Sequence, residues 1–202
     1  MMDAALLAKC ADPSLSKAIV EQFVAAVGSV DPLAVTVTVD GRLVLVPKPK
    51  SPDEALAIVR EYLGSGAVRV GITQFPAGVG LKDASQLQPG LVDACENLRM
   101  GTAMFGRVLR IVSNWYGRPR NNDALPQILD DAFDAWRTGY FEGKSVFRAQ
   151  DPEGSVFQPS DATAKSADAS KDEQPSPEPW TSKSVLDNAG IRIDLSRIDG
   201  EK

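Results

Sequence analysis

The chain has 202 residues and a net charge of −5, which allows one domain with a tail or two small domains and excludes a large multidomain enzyme. Hydrophobic residues make up 43 % of it, as in globular proteins with a core. Histidine is absent, which excludes Ser-His-Asp and Cys-His catalysis. Two cysteines are too few for a structural zinc site. We therefore expect no metal and no cofactor.

The charge is distributed unevenly along the chain. Residues 1–150 contain 16 acidic and 16 basic side chains, whereas residues 151–202 contain 11 acidic and 6 basic ones. A neutral body and an acidic tail disfavour binding to nucleic acid or to anionic lipid. No apolar run is long enough for a membrane span, and the first nine residues lack the features of a signal peptide, so the sequence as written predicts a cytoplasmic protein.

In the first half of the chain, apolar spacing predicts a helix over residues 16–27 that ends at Gly28. Alternating residues on either side of Asp40-Gly41 predict a β-hairpin over 35–46. The string Ser-Pro-Asp-Glu at 51–54 is typical of a capping box and starts a helix that runs to residue 64.

Further along, residues 67–73 are predicted to be extended, 76–80 form a glycine-rich loop, and 83–87 form a short helix. The longest helix is predicted over 94–116, and another over 124–138. Both have apolar stripes expected to face the core, which contain Leu98, Phe105, Val108, Leu109, Val112, Trp115, Ile128, Phe133 and Trp136.

The sequence predicts one folded domain over residues 1–150 and an acidic, Pro/Ser-rich disordered tail over 151–202. Apolar residues return within 180–198, which we interpret as a docking segment for a protein partner. The alternative is a strand that packs back on the protein's own body.

Few polar residues are candidates for chemistry. They are Glu21 on the first long helix, Gln74 after an extended segment and Asn97 at the start of the longest helix. Asp130, Asp131 and Asp134 are more simply the solvated face of their helix. Cys10 and Cys95 could be two buried thiols or one disulfide, and their spacing does not decide between the two.

Several short strings occur in a characteristic order: Asp-Pro-Leu-Ala at 31–34, Gly-Ile-Thr-Gln at 71–74, Asp-Ala-Cys-Glu-Asn-Leu-Arg-Met-Gly at 93–101 and Ala-Trp-Arg-Thr-Gly at 135–139. Together they resemble the soluble-lytic-transglycosylase-like family, in particular the small peptidoglycan-cleaving enzymes of type IV secretion systems. The resemblance covers about residues 8–145.

This resemblance implies a mainly α, α+β fold that is lysozyme-like, with the small β-hairpin at one edge of a glycan cleft. It places Gln74, Asn97 and Trp136 in that cleft. Alternatively, Asn97 could help to cap its helix and Gln74 could satisfy backbone groups beside a loop. It also places Cys10 and Cys95 where secreted relatives have a paired cysteine, so that a disulfide and two thiols both stay open. An oxidising periplasm would follow from the family, in contradiction to the N-terminus, and we leave the compartment undecided.

The sequence departs from the family where catalysis would occur. In the family, one glutamic acid at the end of the first long helix protonates the glycosidic oxygen, and the matching position here is Val27. Gly28 replaces the serine that follows, and the usual Tyr-Asn of the last string is Trp136-Arg137. The sequence therefore has no catalytic residue at the expected position.

A second resemblance covers the opening residues 1–13 and the strings Gly-Ile-Thr-Gln-Phe-Pro-Ala-Gly-Val-Gly at 71–80 and Asn-Leu-Arg-Met-Gly-Thr-Ala-Met-Phe at 97–105. They look like the TraH-type conjugal transfer proteins of rhizobial and agrobacterial plasmids, which implies a role in plasmid mating transfer.

Three hypotheses follow. The first is an inactive transglycosylase-like accessory protein that binds a peptidoglycan glycan strand or proteins of the conjugation machinery. The second is an active enzyme with a relocated acid, either Glu21 or Glu96. The third is a cytoplasmic protein-interaction module.

Overall fold

The computed structural model describes residues 4–119 and 123–155. The fold is mixed α+β and mainly helical, which confirms the predicted class at that level. Its helices and strands follow in the order α1 (Ala4–Cys10), α2 (Lys17–Val27), β1 (Val35–Val39), β2 (Arg42–Val44), α3 (Pro52–Tyr62), β3 (Ala67–Val70), β4 (Phe75–Pro76), α4 (Ala94–Trp115), α5 (Leu125–Thr138), β5 (Tyr140–Phe141) and β6 (Lys144–Ser145). Two short 3₁₀ turns, Ala84–Gln86 and Pro89–Val92, precede α4.

Serine side chains cap two of the helices, and the cap at Ser51 confirms the predicted capping box. The Ser16 hydroxyl accepts a hydrogen bond from the Ile19 amide, and the Ser51 hydroxyl accepts one from the amide of Glu54. The Glu54 carboxylate in turn accepts a hydrogen bond from the Lys50 amide at 2.8 Å. These bonds satisfy amides that the first turn of a helix leaves unpaired, so the boundaries of α2 and α3 are encoded locally.

The predicted hairpin is present, and it belongs to a four-stranded sheet in the order β2-β1-β3-β4, in which each pair is antiparallel. Asp40 and Gly41 both have positive φ angles, 48° and 74°, as a type I′ turn requires. Strand β2 ends at Val44, two residues earlier than predicted. The extended segment predicted over 67–73 also ends early, since β3 stops at Val70 and a turn follows.

Two groups of buried side chains form the core. The helical group lies between α1, α2, α4 and α5, where the Phe23 and Phe105 rings stack with centroids 4.0 Å apart and Trp136 meets both edge-on. The other group lies between the sheet and α3 and contains Val37, Val59 and Val70. This arrangement places the turn after β3 next to the helical core.

The apolar stripe of α4 is buried as predicted, with one exception. Trp115 is 59 % exposed, so the expectation that it belongs to the core is wrong. It is the last residue of α4, and its ring lies against Tyr116 and Phe141 at the helix end. Within residues 4–119 and 123–155, no helix has both the length and the apolar composition to cross a membrane. The predicted tail beyond residue 155, with its docking segment 180–198, lies outside the described residues.

Candidate functional site

The centre of the candidate site is the tight turn from Gly71 to Gln74, which connects β3 to β4. Gly71 and Gln74 both have left-handed backbone angles, with φ of 75° and 49°. The Gln74 amide donates to the Gly71 carbonyl at 3.1 Å, and the Gln74 side chain donates to the same oxygen at 3.0 Å. A side chain at position 71 would collide with Asn97, so glycine is required there both by conformation and by space.

Asn97, at the start of α4, holds this turn in place. Its Oδ1 accepts hydrogen bonds from the amide and the hydroxyl of Thr73, each at 2.9 Å. Its Nδ2 donates to the carbonyls of Val70 and Leu91 at 3.0 and 2.8 Å. All four hydrogen-bonding positions of the amide are therefore used, as a fully buried asparagine requires.

Trp136 of α5 also bonds to this turn. Its indole Nε1 donates to the Thr73 carbonyl at 3.0 Å, and the side chain is 1 % exposed. The three residues that the sequence placed in a cleft thus meet at one turn. Asn97 and Trp136 are buried, and Gln74 is the one that remains half-exposed.

The end of α2 packs directly on this turn. A Cβ atom at Gly28 would lie 2.5 Å from the Ile72 carbonyl oxygen, so the close approach requires glycine. The Ser29 amide donates to that oxygen at 2.8 Å. Val27, where the family resemblance expects the catalytic acid, is partly buried against the helical core. The position therefore lies near the predicted cleft residues and carries an apolar side chain.

Two arginines connect the ends of α2 and α5 to the turn. Arg69 donates to the Arg137 carbonyl at 2.8 Å and to the Gln74 carbonyl at 3.4 Å, and its guanidinium lies over the Phe147 ring. Arg137 donates to the Ala26 carbonyl at 2.8 Å. Each cation thus satisfies a carbonyl in the last turn of a helix, where the helix dipole is negative. Burial lowers the pKa of Arg69 to about 10, so it remains charged at neutral pH.

A groove of about 630 Å³ opens beside these arginines, between the outer face of the sheet and the end of α5. Its lining residues are Thr38, Asp40, Gly41, Gly64, Ser65, Gly66, Ala67, Arg69, Arg137 and Thr138. The lining is mostly polar side chains and glycine backbone, which offers hydrogen-bonding groups to a polar ligand. The sequence did not predict Arg69 as a site residue, because its alternation with Val68 and Val70 indicated no more than a strand.

The two fallback acids lie elsewhere. Glu21 is exposed on α2, pairs with Lys17 at 3.6 Å, and lines a mostly apolar hollow of about 440 Å³ with Val24, Ala25 and Val30 among its neighbours. Glu96 pairs with Arg99 in the first turn of α4. Neither carboxylate is hydrogen-bonded to the turn 71–74 in the described part of the chain.

Of the acidic residues of α5, Asp130 and Asp134 lie on the solvated face that the sequence predicted, whereas Asp131 is partly buried. Asp130 is exposed, and Asp134 pairs with Arg137 at 2.7 Å. Asp131 accepts hydrogen bonds from the Tyr116 hydroxyl and from Gln127. In residues 4–119 and 123–155, no group of three or more acidic, cysteine or histidine side chains could hold a metal ion.

Cys10 and Cys95 form a disulfide, which the sequence had left open. Their Cα atoms lie 5.1 Å apart, within the usual range for a disulfide. The bond connects the end of α1 to the first turn of α4, two residues before Asn97. It therefore ties the N-terminal helix to the element that holds the candidate site.

A comparison with known proteins identifies the family. The TraH_2 family matches residues 1–200, and the chain belongs to it. A relative from Sinorhizobium fredii (strain NBRC 101917 / NGR234), named uncharacterized protein y4dP, is 58 % identical over 201 residues, which cover 99 % of this chain and 100 % of the relative. This confirms the predicted TraH-type conjugal transfer protein. No solved structure matches the chain, so the lysozyme-like fold stays a prediction.

Proposed function

We propose that this protein is a conjugal transfer accessory protein that binds a peptidoglycan glycan strand without cleaving it. Family membership supports the link to conjugation. The observation that supports a binding role is the polar groove lined by Arg69 and Arg137. It adjoins the turn 71–74, where Gln74, Asn97 and Trp136 meet, through the hydrogen bond from Arg69 to the Gln74 carbonyl. These residues come from three distant strings whose order suggested a glycan cleft.

Val27 is the reason why we expect no cleavage. General acid catalysis of glycoside hydrolysis needs a carboxyl group that can reach the glycosidic oxygen. Valine cannot transfer a proton, and this side chain instead contributes to the helical core. Glu21 and Glu96 are engaged by Lys17 and Arg99 and have no hydrogen bond to the turn. We therefore expect binding without turnover.

The first experiment incubates the full chain with purified peptidoglycan and measures both co-sedimentation and release of anhydro-muropeptides. Binding without release supports the proposal. Release by the wild-type protein would refute the inactive assignment and make Glu21→Gln and Glu96→Gln the next variants. If the protein neither binds nor releases, the glycan proposal is wrong, and proteins of the transfer machinery become the ligands to test.

Groove variants locate the binding. Ala67 is exposed and lines the groove, so Ala67→Trp fills it. Ala57 is exposed on α3 outside the groove, and Ala57→Trp is the matched control. We expect Ala67→Trp to reduce co-sedimentation at least about tenfold, since it excludes ligand from the space that the proposal assigns to it, and Ala57→Trp to leave it unchanged. Equal binding by the two variants would contradict the groove assignment.

A gain-of-function variant tests the reason for inactivity. Val27→Glu introduces a carboxyl group at the position where the transglycosylase resemblance expects the acid. Val24→Glu is the control. Release of anhydro-muropeptides by Val27→Glu, but not by wild type or by Val24→Glu, would support a retained cleft that lacks its acid. Circular dichroism must first show that both variants fold, because Val24 is buried and Val27 is partly buried.

A further inference from the structure

The sheet has one open edge that carries exposed apolar residues. Strand β2 is the terminal strand, and no other strand of the described residues pairs with its outer side. Leu43 of β2 and Leu45, the residue directly after the strand, are 67 % and 92 % exposed. Two leucines this exposed at one sheet edge are unusual. The opposite edge is short, since β4 is two residues long and ends in Pro76.

Hairpin geometry determines which backbone groups of β2 are free. In a two-residue I′ hairpin, the residues that flank the turn form a hydrogen-bonded pair, which is here Val39 with Arg42. The amides of Arg42 and Val44 therefore point towards β1. That of Leu43 points outwards, and the same alternation continued by one residue past Val44 turns the Leu45 amide outwards as well. The exposed side chains and the outward amides then belong to the same two residues.

This edge is complementary to itself. We propose that two copies of the chain pair through β2, antiparallel about a two-fold axis at Val44, and join their sheets into one. Leu43 of one copy then lies opposite Leu45 of the other, so that four leucines meet and the outward amides and carbonyls of both strands bond to each other. A two-fold pairing of this kind is closed, because each copy uses its open edge once.

Charges at the two ends of the strand favour the same register. It brings the turn residue Asp40 of one copy towards Lys48 of the other. The Lys48 ammonium pairs with Asp31 at 3.1 Å, yet its side chain is 82 % exposed and stays accessible. Pro47 has no amide hydrogen and ends the pairing beyond residue 46, which limits the interface to a short strand.

So small an interface predicts a weak dimer, with a Kd between about 10 µM and 1 mM. Sedimentation of the full chain across this range should show a reversible monomer-dimer equilibrium. Leu45→Asp should weaken the dimer at least about tenfold, because it places two carboxylates against leucines at the interface. Val30 is an equally exposed apolar residue outside the sheet, and Val30→Asp is the control that should leave the equilibrium unchanged.

A charge-pair variant tests the register itself. Leu43→Lys and Leu45→Asp should each weaken the dimer, whereas the double variant should recover it, since each lysine then faces an aspartate of the other copy. In a register that places Leu43 opposite Leu43, the double variant would instead place like charges together. Hydrogen exchange at Leu43 and Leu45 should slow as protein concentration rises.

Three results would overturn the proposal. The first is a protein that stays monomeric up to about 1 mM. The second is a dimer that Leu45→Asp and Val30→Asp affect equally, or that the double variant fails to recover. The third is protection of the Leu43 and Leu45 amides that does not depend on protein concentration, which would mean that something other than a second copy covers the edge. None of these outcomes bears on peptidoglycan binding, so the two proposals fail independently.

Discussion

Removal of the Cys10–Cys95 disulfide should destabilise the protein strongly. The bond closes a loop with a sequence separation of 85 residues. In the chain-entropy treatment, a loop of this length lowers the entropy of the unfolded chain by about 15 cal/mol/K, which corresponds to about 4.6 kcal/mol at 25 °C. Domains of this size are stable by about 5 to 15 kcal/mol, so the bond would account for a large share of the total.

The measurement is urea unfolding of wild type, of Cys10→Ala/Cys95→Ala, and of both proteins in reductant. Trp136 is buried in the helical core and gives a fluorescence signal for the loss of packing. We expect the double variant and the reduced wild type to lose about 4 kcal/mol of unfolding free energy relative to the oxidised protein. Reductant should not affect the double variant, which serves as its own control.

A loss below about 1 kcal/mol would refute the reasoning, since it would mean that the bond does not constrain the unfolded chain. A thiol titration of the denatured wild type separates the possible causes. Two reactive thiols before reduction would show that the bond is not formed, whereas none would show that it is formed but contributes little.

Two further predictions concern the helix that carries the site. Gly101→Ala should destabilise the protein by about 2 kcal/mol or more in chemical denaturation, because the new Cβ would lie 2.1 Å from the Thr73 hydroxyl oxygen. Gly106→Ala in the same helix is the control. Its Cβ would lie no closer than 3.5 Å to a neighbouring atom, so this variant should be neutral or stabilising. Asp151→Asn should cost about 1 kcal/mol at pH 7, since Arg110 holds the carboxylate with two hydrogen bonds and lowers the pKa of Asp151. A carboxyl group whose pKa is lowered by folding stabilises the protein at pH values above its ordinary pKa of about 3.9. The difference in unfolding free energy between wild type and Asp151→Asn should therefore shrink as pH falls below that value. A difference that grows instead would contradict the prediction.

The helices and the first hairpin could be predicted because their signals are local. A serine cap, a proline in the first turn or an Asp-Gly turn acts on residues within four positions of itself, so the sequence string contains the interacting groups. The hairpin of β5 and β6 was missed although it has a similar turn, with Glu142 and Gly143 both at positive φ. Its strands have two residues each, too few for an alternation to be recognised.

The candidate site could be predicted only in part, since its bonds join residues far apart in sequence. Trp136 was expected in the core from its helical stripe, but its bond to the Thr73 carbonyl spans 63 positions. Arg69 donates to the Arg137 carbonyl across 68 positions, and no local sequence pattern predicts such a contact. The family resemblance grouped these strings, but neither it nor any local pattern could predict which atoms bond, and a glycan cleft at this turn stays a prediction.

The hydrogen bonds of Asn97 and Trp136 show whether these two motif residues indicate a shared structure or a shared activity. Both polar atoms of the Asn97 side chain are hydrogen-bonded to the turn and its neighbours, and the indole N–H of Trp136 is hydrogen-bonded to the Thr73 carbonyl. These two residues can therefore maintain the shape of the site whether or not any chemistry occurs in it. Gln74 is partly buried, and Val27 is the position to which the transglycosylase resemblance assigns an acid. A resemblance based on Asn97 and Trp136 therefore concerns the architecture of the site, and activity must be tested at Val27 and at the groove lined by Arg69 and Arg137.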